Sequence, residues 1–359
     1  MRGFLLTLGF GLRRGLFLGL LPLGAACGVA SSGAGAPTHP PASGLGPIVP
    51  LEDSAGLSWT APFLLADPSR ALSHPNVPPN EPAQADRLEL WAESDQGGER
   101  SIVFARAESF ETGMGPLEEA LGAELAWEGG AVGSPAVLRD ETTGLLLYVA
   151  AGQIGCARLA EGRGEARAAA PVYTDAGGGL IRSIAFGRAG DHVRGFALIE
   201  GPLGVRVDAL AGSFAALARA VSAPAAGAAL LRARPGGLVL PGWAIGATEL
   251  GVRLEPTPAG RLREDLFFAA TLPQLGDLGV DAAQPSAIGA ATRYLDGPLR
   301  DDVGLSPSPE APLETVAAPI LSGPPSPTSA TAVAYRGGVL VLYSARSGPR
   351  TAIGVGRHP

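Results

Sequence analysis

Three stretches of this chain repeat one design. Arg87 to Ser94, Gly144 to Ala151 and Val339 to Arg346 are apolar runs, each passing through an aromatic residue (Trp91, Tyr148, Tyr343) into small residues. After a short turn each is followed by a second run rich in small residues: Ser101 to Arg106, Gln153 to Arg158 and Thr351 to Arg357. Apolar runs of this length, joined by Gly-containing turns, are β-hairpins. Each hairpin also has a preceding strand-like run, at Trp59–Ala66, Gly133–Asp140 and Ser329–Gly338. A unit of three or four strands cannot bury both of its faces alone, so repeated units must stack on one another.

The same reading extends through the middle of the chain. Arg182–Phe186, Val193–Ile199 and Gly204–Leu210 predict a third unit. Gly237–Leu240, Trp243–Ile245, Leu250–Leu254 and Leu266–Ala270 predict a fourth. Residues 272–327 carry ten prolines and read as loop. Helical periodicity is confined to Leu117–Leu125 and Gly212–Val221. Many short strands admit a propeller, a β-helix or paired sandwiches, and the internal repeat favours the propeller. The expected fold is therefore an all-β β-propeller over residues 46–359. Five blades fit the length at about 60 residues each, with four or six as alternatives.

Composition removes other classes. Charged residues make up only 17%, too few for a solenoid of long charged helices, and the 52 glycines follow no strict period. All 27 basic residues are arginine, against 34 acids, for a net charge of −7. That balance argues against electrostatic binding to nucleic acid. Mean hydropathy is +0.22, raised chiefly by Ala and Gly.

The amino terminus has the layout of an export signal. Arg2, Arg13 and Arg14 supply positive charge, Gly15–Leu23 is apolar, and Gly24-Ala25-Ala26 precede Cys27. The apolar core is shorter than the ~20 residues that span a bilayer. Small residues followed at once by cysteine resemble the lipobox of bacterial lipoproteins, although Leu23 stands four residues before Cys27 rather than three. The resemblance implies cleavage after residue 26, acylation of Cys27 and an outer-membrane placement in the cell envelope. Residues 27–45, rich in Ser, Gly, Ala and Pro, then read as a flexible tether. Removing residues 1–26 would leave 333 residues with 24 arginines against 34 acids. Cys156, the other cysteine, lies in an apolar strand-like run and is expected to be a buried thiol.

Ser134-Pro135-Ala136-Val137-Leu138, Leu147-Tyr148 and Ile154-Gly155-Cys156-Ala157 resemble a recurrent blade of the five-bladed glycosidase propellers, the arabinanase, xylosidase and invertase-like families. The resemblance covers residues 57–107, 133–160 and 329–357. It implies a central pocket into which separate blades project carboxylates, since glycoside hydrolysis needs a paired base or nucleophile and proton donor. At the positions where that family opens its first two blades with Asp-Pro, this chain has Ala61-Pro62 and Ser134-Pro135. Neither residue supplies a carboxylate. Glu200-Gly201-Pro202 matches the Glu-Gly-Pro in which the family carries its acid, and Glu200 is the candidate acid.

Other acids read as structural. Asp67 and Asp140 suit turns, Glu93 suits a groove or solvent, Glu249 and Asp296 have no local context, and Asp301-Asp302 suit a solvated loop. His39, His74, His192 and His358 lack ligand spacing, so no metal and no cofactor is expected. Trp59, Trp91, Trp127 and Trp243 could stack on sugar rings or fill space between blades. The resulting expectation is a membrane-anchored exported propeller with a non-catalytic carbohydrate-binding or scaffold role. The alternatives are a diverged glycoside hydrolase using Glu200, and a propeller that binds an envelope protein.

Overall fold

A computed structural model describes residues 58–66, 88–96, 99–107, 116–223, 229–257, 261–272, 286–295, 312–315, 319–322, 327–335, 338–347 and 350–358. Cys27, the export signal and the tether lie outside the described residues, as do Asp67, Asp296, Asp301 and Asp302. Among the described residues no helix is long and apolar enough to cross a membrane.

The described residues form a propeller arrangement of antiparallel sheets. The first sheet contains β1 (Ser58–Ala66), β2 (Leu88–Gln96), β3 (Glu99–Ala107) and β4 (Glu118–Leu121). The second contains β5 (Val132–Arg139), β6 (Gly144–Ala150), β7 (Gln153–Ala160) and β8 (Arg163–Arg167). The third contains β9 (Leu180–Ala189), β10 (His192–Gly201), β11 (Gly204–Ser213) and β12 (Leu231–Leu238). The fourth contains β13 (Gly246–Pro256), β14 (Leu262–Thr271) and β15 (Ser286–Leu295), with two-residue strands β16 (Glu314–Thr315) and β17 (Leu321–Ser322) both pairing β15. A three-stranded sheet follows: β18 (Pro327–Tyr335), β19 (Gly338–Ser347) and β20 (Arg350–His358). The expected five equal blades thus resolve into four full blades and one smaller sheet.

The first strands of the sheets, β1, β5, β9, β13 and β18, neighbour one another in a closed ring. Each carries one register irregularity near its start. Ala61-Pro62 oppose a single residue of β2, and Ser134-Pro135 a single residue of β6; Arg182, Thr248 and Thr328 are extra residues of the same kind. A bulge bends its strand and re-aims the side chains beside it. Here the bend recurs at one level around the axis.

Inside the blades the repeat seen in the sequence has a steric cause. Tyr148 of β6 lies directly opposite Gly155 of β7, and Tyr343 of β19 opposite Gly354 of β20. Phe186 likewise opposes Gly195, and Phe268 opposes Gly289. A Cβ on Gly155 would stand 2.3 Å from the Tyr148 ring, so the glycine is the space in which the aromatic lies. In the first blade Phe104 fills that place and stacks on Trp91 at 5.0 Å. The Tyr148 hydroxyl donates to buried Glu128, in the connection between the first and second blades, at 2.6 Å. Glu128 also accepts from Arg167 and from the backbone of Glu124 and Leu125, which holds its carboxyl below the usual range against the cost of burial.

Cores lie between adjacent blades rather than within them. Leu138, Leu147 and Cys156 of the second blade pack with Ile184, Phe186 and Val193 of the third. Phe196 and Val207 of the third pack with Leu254, Leu266 and Phe268 of the fourth. Cys156 is buried as expected, and burial pushes its thiol up to about 12.

Three local expectations are corrected. Leu117–Leu125 contains β4, because Glu118–Leu121 gain ladder bonds to β3 that outweigh a weak helical preference. Gly237–Leu240, expected in the fourth blade, begins within β12, Leu231–Leu238, which closes the third blade by pairing with β11. The Pro-rich region supplies β15, a ten-residue strand that pairs with β14 along its whole length. The helix expected at Gly212–Val221 is present as Phe214–Ser222, capped by Ser213 and by the Asp191 carboxylate, which accepts from Ala215.

Gly155→Ala is expected to displace Tyr148 from Glu128 and destabilise the fold by about 2–3 kcal/mol, as overpacking in a filled core does. Thermal unfolding of the variant beside the wild type reads this directly.

Candidate functional site

The ring of bulges gathers polar side chains from four sheets at the starts of the inner strands. Ser134 sits at the β5 bulge with φ of +48°, a conformation that non-glycine residues rarely occupy. Its surroundings fix it there. The Ser134 N–H donates to Glu93 Oε2 at 3.2 Å, and its hydroxyl accepts the Ile184 N–H at 2.9 Å. Gly133 permits this approach, since a Cβ there would overlap the Glu93 carboxylate. Glu93 is in turn paired with Arg100, Nη1 to Oε1 at 3.3 Å.

The path continues around the axis. Ser134 Oγ lies 3.4 Å from Ser183 Oγ, and Ser183 Oγ accepts the Leu250 N–H at 3.2 Å. Ser183 also hydrogen-bonds the carboxyl of Glu249, the residue that follows the β13 bulge. Arg100, Glu93, Ser134, Ser183 and Glu249 therefore form one connected polar path through the first, second, third and fourth blades.

Glu249 is the unusual member. Burial is the largest influence and pushes its carboxyl up to about 8; the Ser183 hydrogen bond opposes this and the negative charge of Glu93 adds to it. The Glu249 carboxyl is thereby raised well above the ordinary carboxylate range, while Glu93 pairs with Arg100. A protonated and an ionised carboxyl in one site can donate and accept protons respectively. Nothing in the sequence around Glu249 announces this, because Glu93 and Ser183, which make its setting, belong to the first and third blades. The one local signal is the position of Thr248-Glu249 near the start of an inner strand, level with Ser134-Pro135.

Glu200 is not part of this path, although it meets Arg182, the bulged residue of β9. It occupies the second strand of the third blade, opposite Leu180, and its half-exposed carboxylate pairs with Arg182 at 2.6 Å. Of the tryptophans, Trp91 is fully buried, its face taken by Phe104. Trp127 is half-buried against Tyr148 and Trp243 half-buried against Phe268. Trp59 belongs to β1 opposite Ser94, with its side chain outside the described residues. Asp140 caps its hairpin by accepting from the backbone of Thr142 and Thr143, as expected of a turn residue. Asp175 closes the glycine-rich loop through Gly179 and Arg206. Among the described residues no group of three or more His, Cys, Asp or Glu side chains is placed to hold a metal ion.

Glu249 makes stability depend on pH. Between its ordinary value of 4.5 and its folded value of about 8, the folded protein keeps a proton that the unfolded chain has lost. The contribution of this group to stability is therefore full below pH 4.5, declines as pH rises, and levels off above about 8. Glu249→Gln is expected to remove that decline and to be the more stable protein in alkaline buffer by a few kcal/mol, at about 1.4 kcal/mol per unit of displacement. Melting temperatures of both proteins across neutral and alkaline pH check it.

No protein-family model matches the chain, and no curated protein sequence does. Solved structures do. A protein solved as an RGII complex aligns with a TM-score of 0.54 at 12% identity, over 89% of this chain and 92% of that protein. The α-L-arabinofuranosidase of Podospora anserina, solved in complex with cellotriose, aligns with a TM-score of 0.53 at 10% identity, over 90% and 99%. A thermostable family-43 glycoside hydrolase aligns with a TM-score of 0.51 at 11% identity, over 86% and 92%. The chain has the propeller fold of these glycoside hydrolases.

Proposed function

We propose that this protein is an exported, lipid-anchored propeller that binds a saccharide at its axial site. The observation that carries the reading is the connected path from Glu93 through Ser134 and Ser183 to Glu249. It sets two carboxyl groups, Glu93 and Glu249, around one axis, held by Ser134 and Ser183, whose hydroxyls are buried, and carboxyl groups recognise sugar hydroxyls. The shared fold supports the same reading, because its neighbours include enzymes of saccharides. We take the three-stranded sheet as a fifth blade, Cys27 as the acylated residue, and the outer membrane as the site of anchoring. Ala61 and Ser134, standing where a glycosidase of this fold has acids, favour binding without catalysis.

A second reading has its own support. Glu249, its carboxyl raised by burial, and Glu93, paired with Arg100, are suited to the acid and base roles that glycoside hydrolysis divides between two carboxyls, apart from Glu200. Titrating the full-length protein with plant and microbial oligosaccharides, with released reducing sugar followed in parallel, separates the readings. Binding without turnover, weakened about tenfold or more by Glu93→Gln or Glu249→Gln, is the expected result. Turnover lost in Glu249→Gln and kept in Glu200→Gln would establish the hydrolase. Turnover lost in Glu200→Gln alone would return the role to Glu200. Silence in both channels would leave an envelope-protein scaffold. For the anchor, radiolabelled palmitate is expected to mark the wild-type chain and not Cys27→Ser.

A further inference from the structure

Six large apolar side chains are exposed among the described residues: Leu180, Leu203, Val205, Val239, Ile245 and Tyr294. Single exposed apolar residues are ordinary, whereas several on one end of a fold point to a surface that meets something. Five of the six share one end of the propeller. Leu180 opens β9, three residues before Ser183 of the axial site. In the sheet ladder Leu180 pairs with Glu200, which pairs with Val205, so the two apolar side chains flank one row. Leu203 is fully exposed at the turn joining β10 to β11. Val239, 81% exposed, follows Leu238, which pairs with Val207, and Ile245 directly precedes β13. The sixth, Tyr294, lies at the opposite end of its blade, near the β15–β14 pair Leu295–Leu262, with Arg261 over its ring.

The apolar rim therefore borders the end at which the inner strands begin and the axial carboxyls are gathered. The chain also enters the propeller at this end, because β1 starts at Ser58, close to the level at which Glu93 meets Ser134. Cys27 lies 31 residues before Ser58, a length of chain that at about 3.3 Å per residue reaches far beyond the thickness of one blade. In the third blade the charged groups beside these residues are paired, Arg182 with Glu200 and Arg206 with Asp175 and Asp208. Such a rim suits an uncharged amphiphile better than an anionic polymer.

We infer that the ligand is a saccharide carried on a lipid, met at a bilayer surface, with its sugar head at the axial site and the rim of Leu203, Val239 and Ile245 seated among the lipids. The inference rests on the saccharide reading of the axial site and names the class of saccharide. It does not rest on acylation of Cys27, so the full chain carrying Cys27→Ser is the protein to test. Flotation is measured with phosphatidylcholine vesicles and with the same vesicles carrying glucosyl and galactosyl diacylglycerol. The expected result is greater binding to the glycolipid vesicles, reduced about tenfold or more by the double substitution Leu203→Asp, Val239→Asp. Equal binding to both vesicles, or binding that the double substitution leaves intact, overturns the inference. If vesicles show no gain while soluble oligosaccharides bind, the axial saccharide reading stands and the lipid-carried class falls. If neither binds, both fall.

Discussion

The structure depends on the burial of neighbouring blades against one another. A four-stranded sheet exposes two faces, and in this chain both are apolar, so no blade is stable by itself. Leu138 and Cys156 of one blade have their partners in Ile184 and Phe186 of the next, and Phe196 of that blade has its partners in Leu254 and Phe268 of the following one. Closing the ring gives every face a neighbour. Polar interactions cross the same boundaries, from the exposed Arg163–Glu118 pair to buried ones. Buried Glu264 of the fourth blade lies between Arg194 of the third and Arg293 of its own. A buried ion pair contributes little net energy but is severely unfavourable when one partner is missing. These pairs therefore fix how neighbouring blades sit while the apolar contacts supply most of the stability.

The alternation of strands and turns is legible in the sequence because it is local. The hairpins at Trp91, Tyr148 and Tyr343, the third blade and the short helix at Phe214–Ser222 all follow from runs and turns visible within about twenty residues. The errors fall where pairing overrides local preference. Glu118–Leu121 reads as helix and pairs as an edge strand, and Leu231–Leu238 is assigned to its blade only by a ladder with β11. In residues 272–327, the prolines conceal β15, although Ser286–Leu295 contains none.

The axial site is the least legible part. Glu93 reads as a solvated acid and Glu249 as an acid without context, because neither has a neighbour in sequence that touches the other. What joins them is a chain of bonds through Ser134 and Ser183, with links such as Glu93 to Ser134 that span 41 residues. By sequence Ser134 reads as a missing acid. In the folded protein its hydroxyl is the junction between two blades, and its strained backbone is held by bonds to both of them. The Tyr–Gly correspondence, by contrast, is visible as a motif without a reason, and the register supplies it.

The bulged positions of the inner strands have a consequence for how such a protein changes over time. A residue that stands outside the one-to-one register of its ladder contributes little to the pairing of its blade. Its side chain can then be exchanged without breaking the ladder of its own blade. Ala61, Ser134, Arg182, Thr248 and Thr328 stand at such positions, one in each sheet. The axis is in effect an interchangeable fitting. A lineage could lose one chemistry there and acquire another through a handful of substitutions while the blades behind it stay the same.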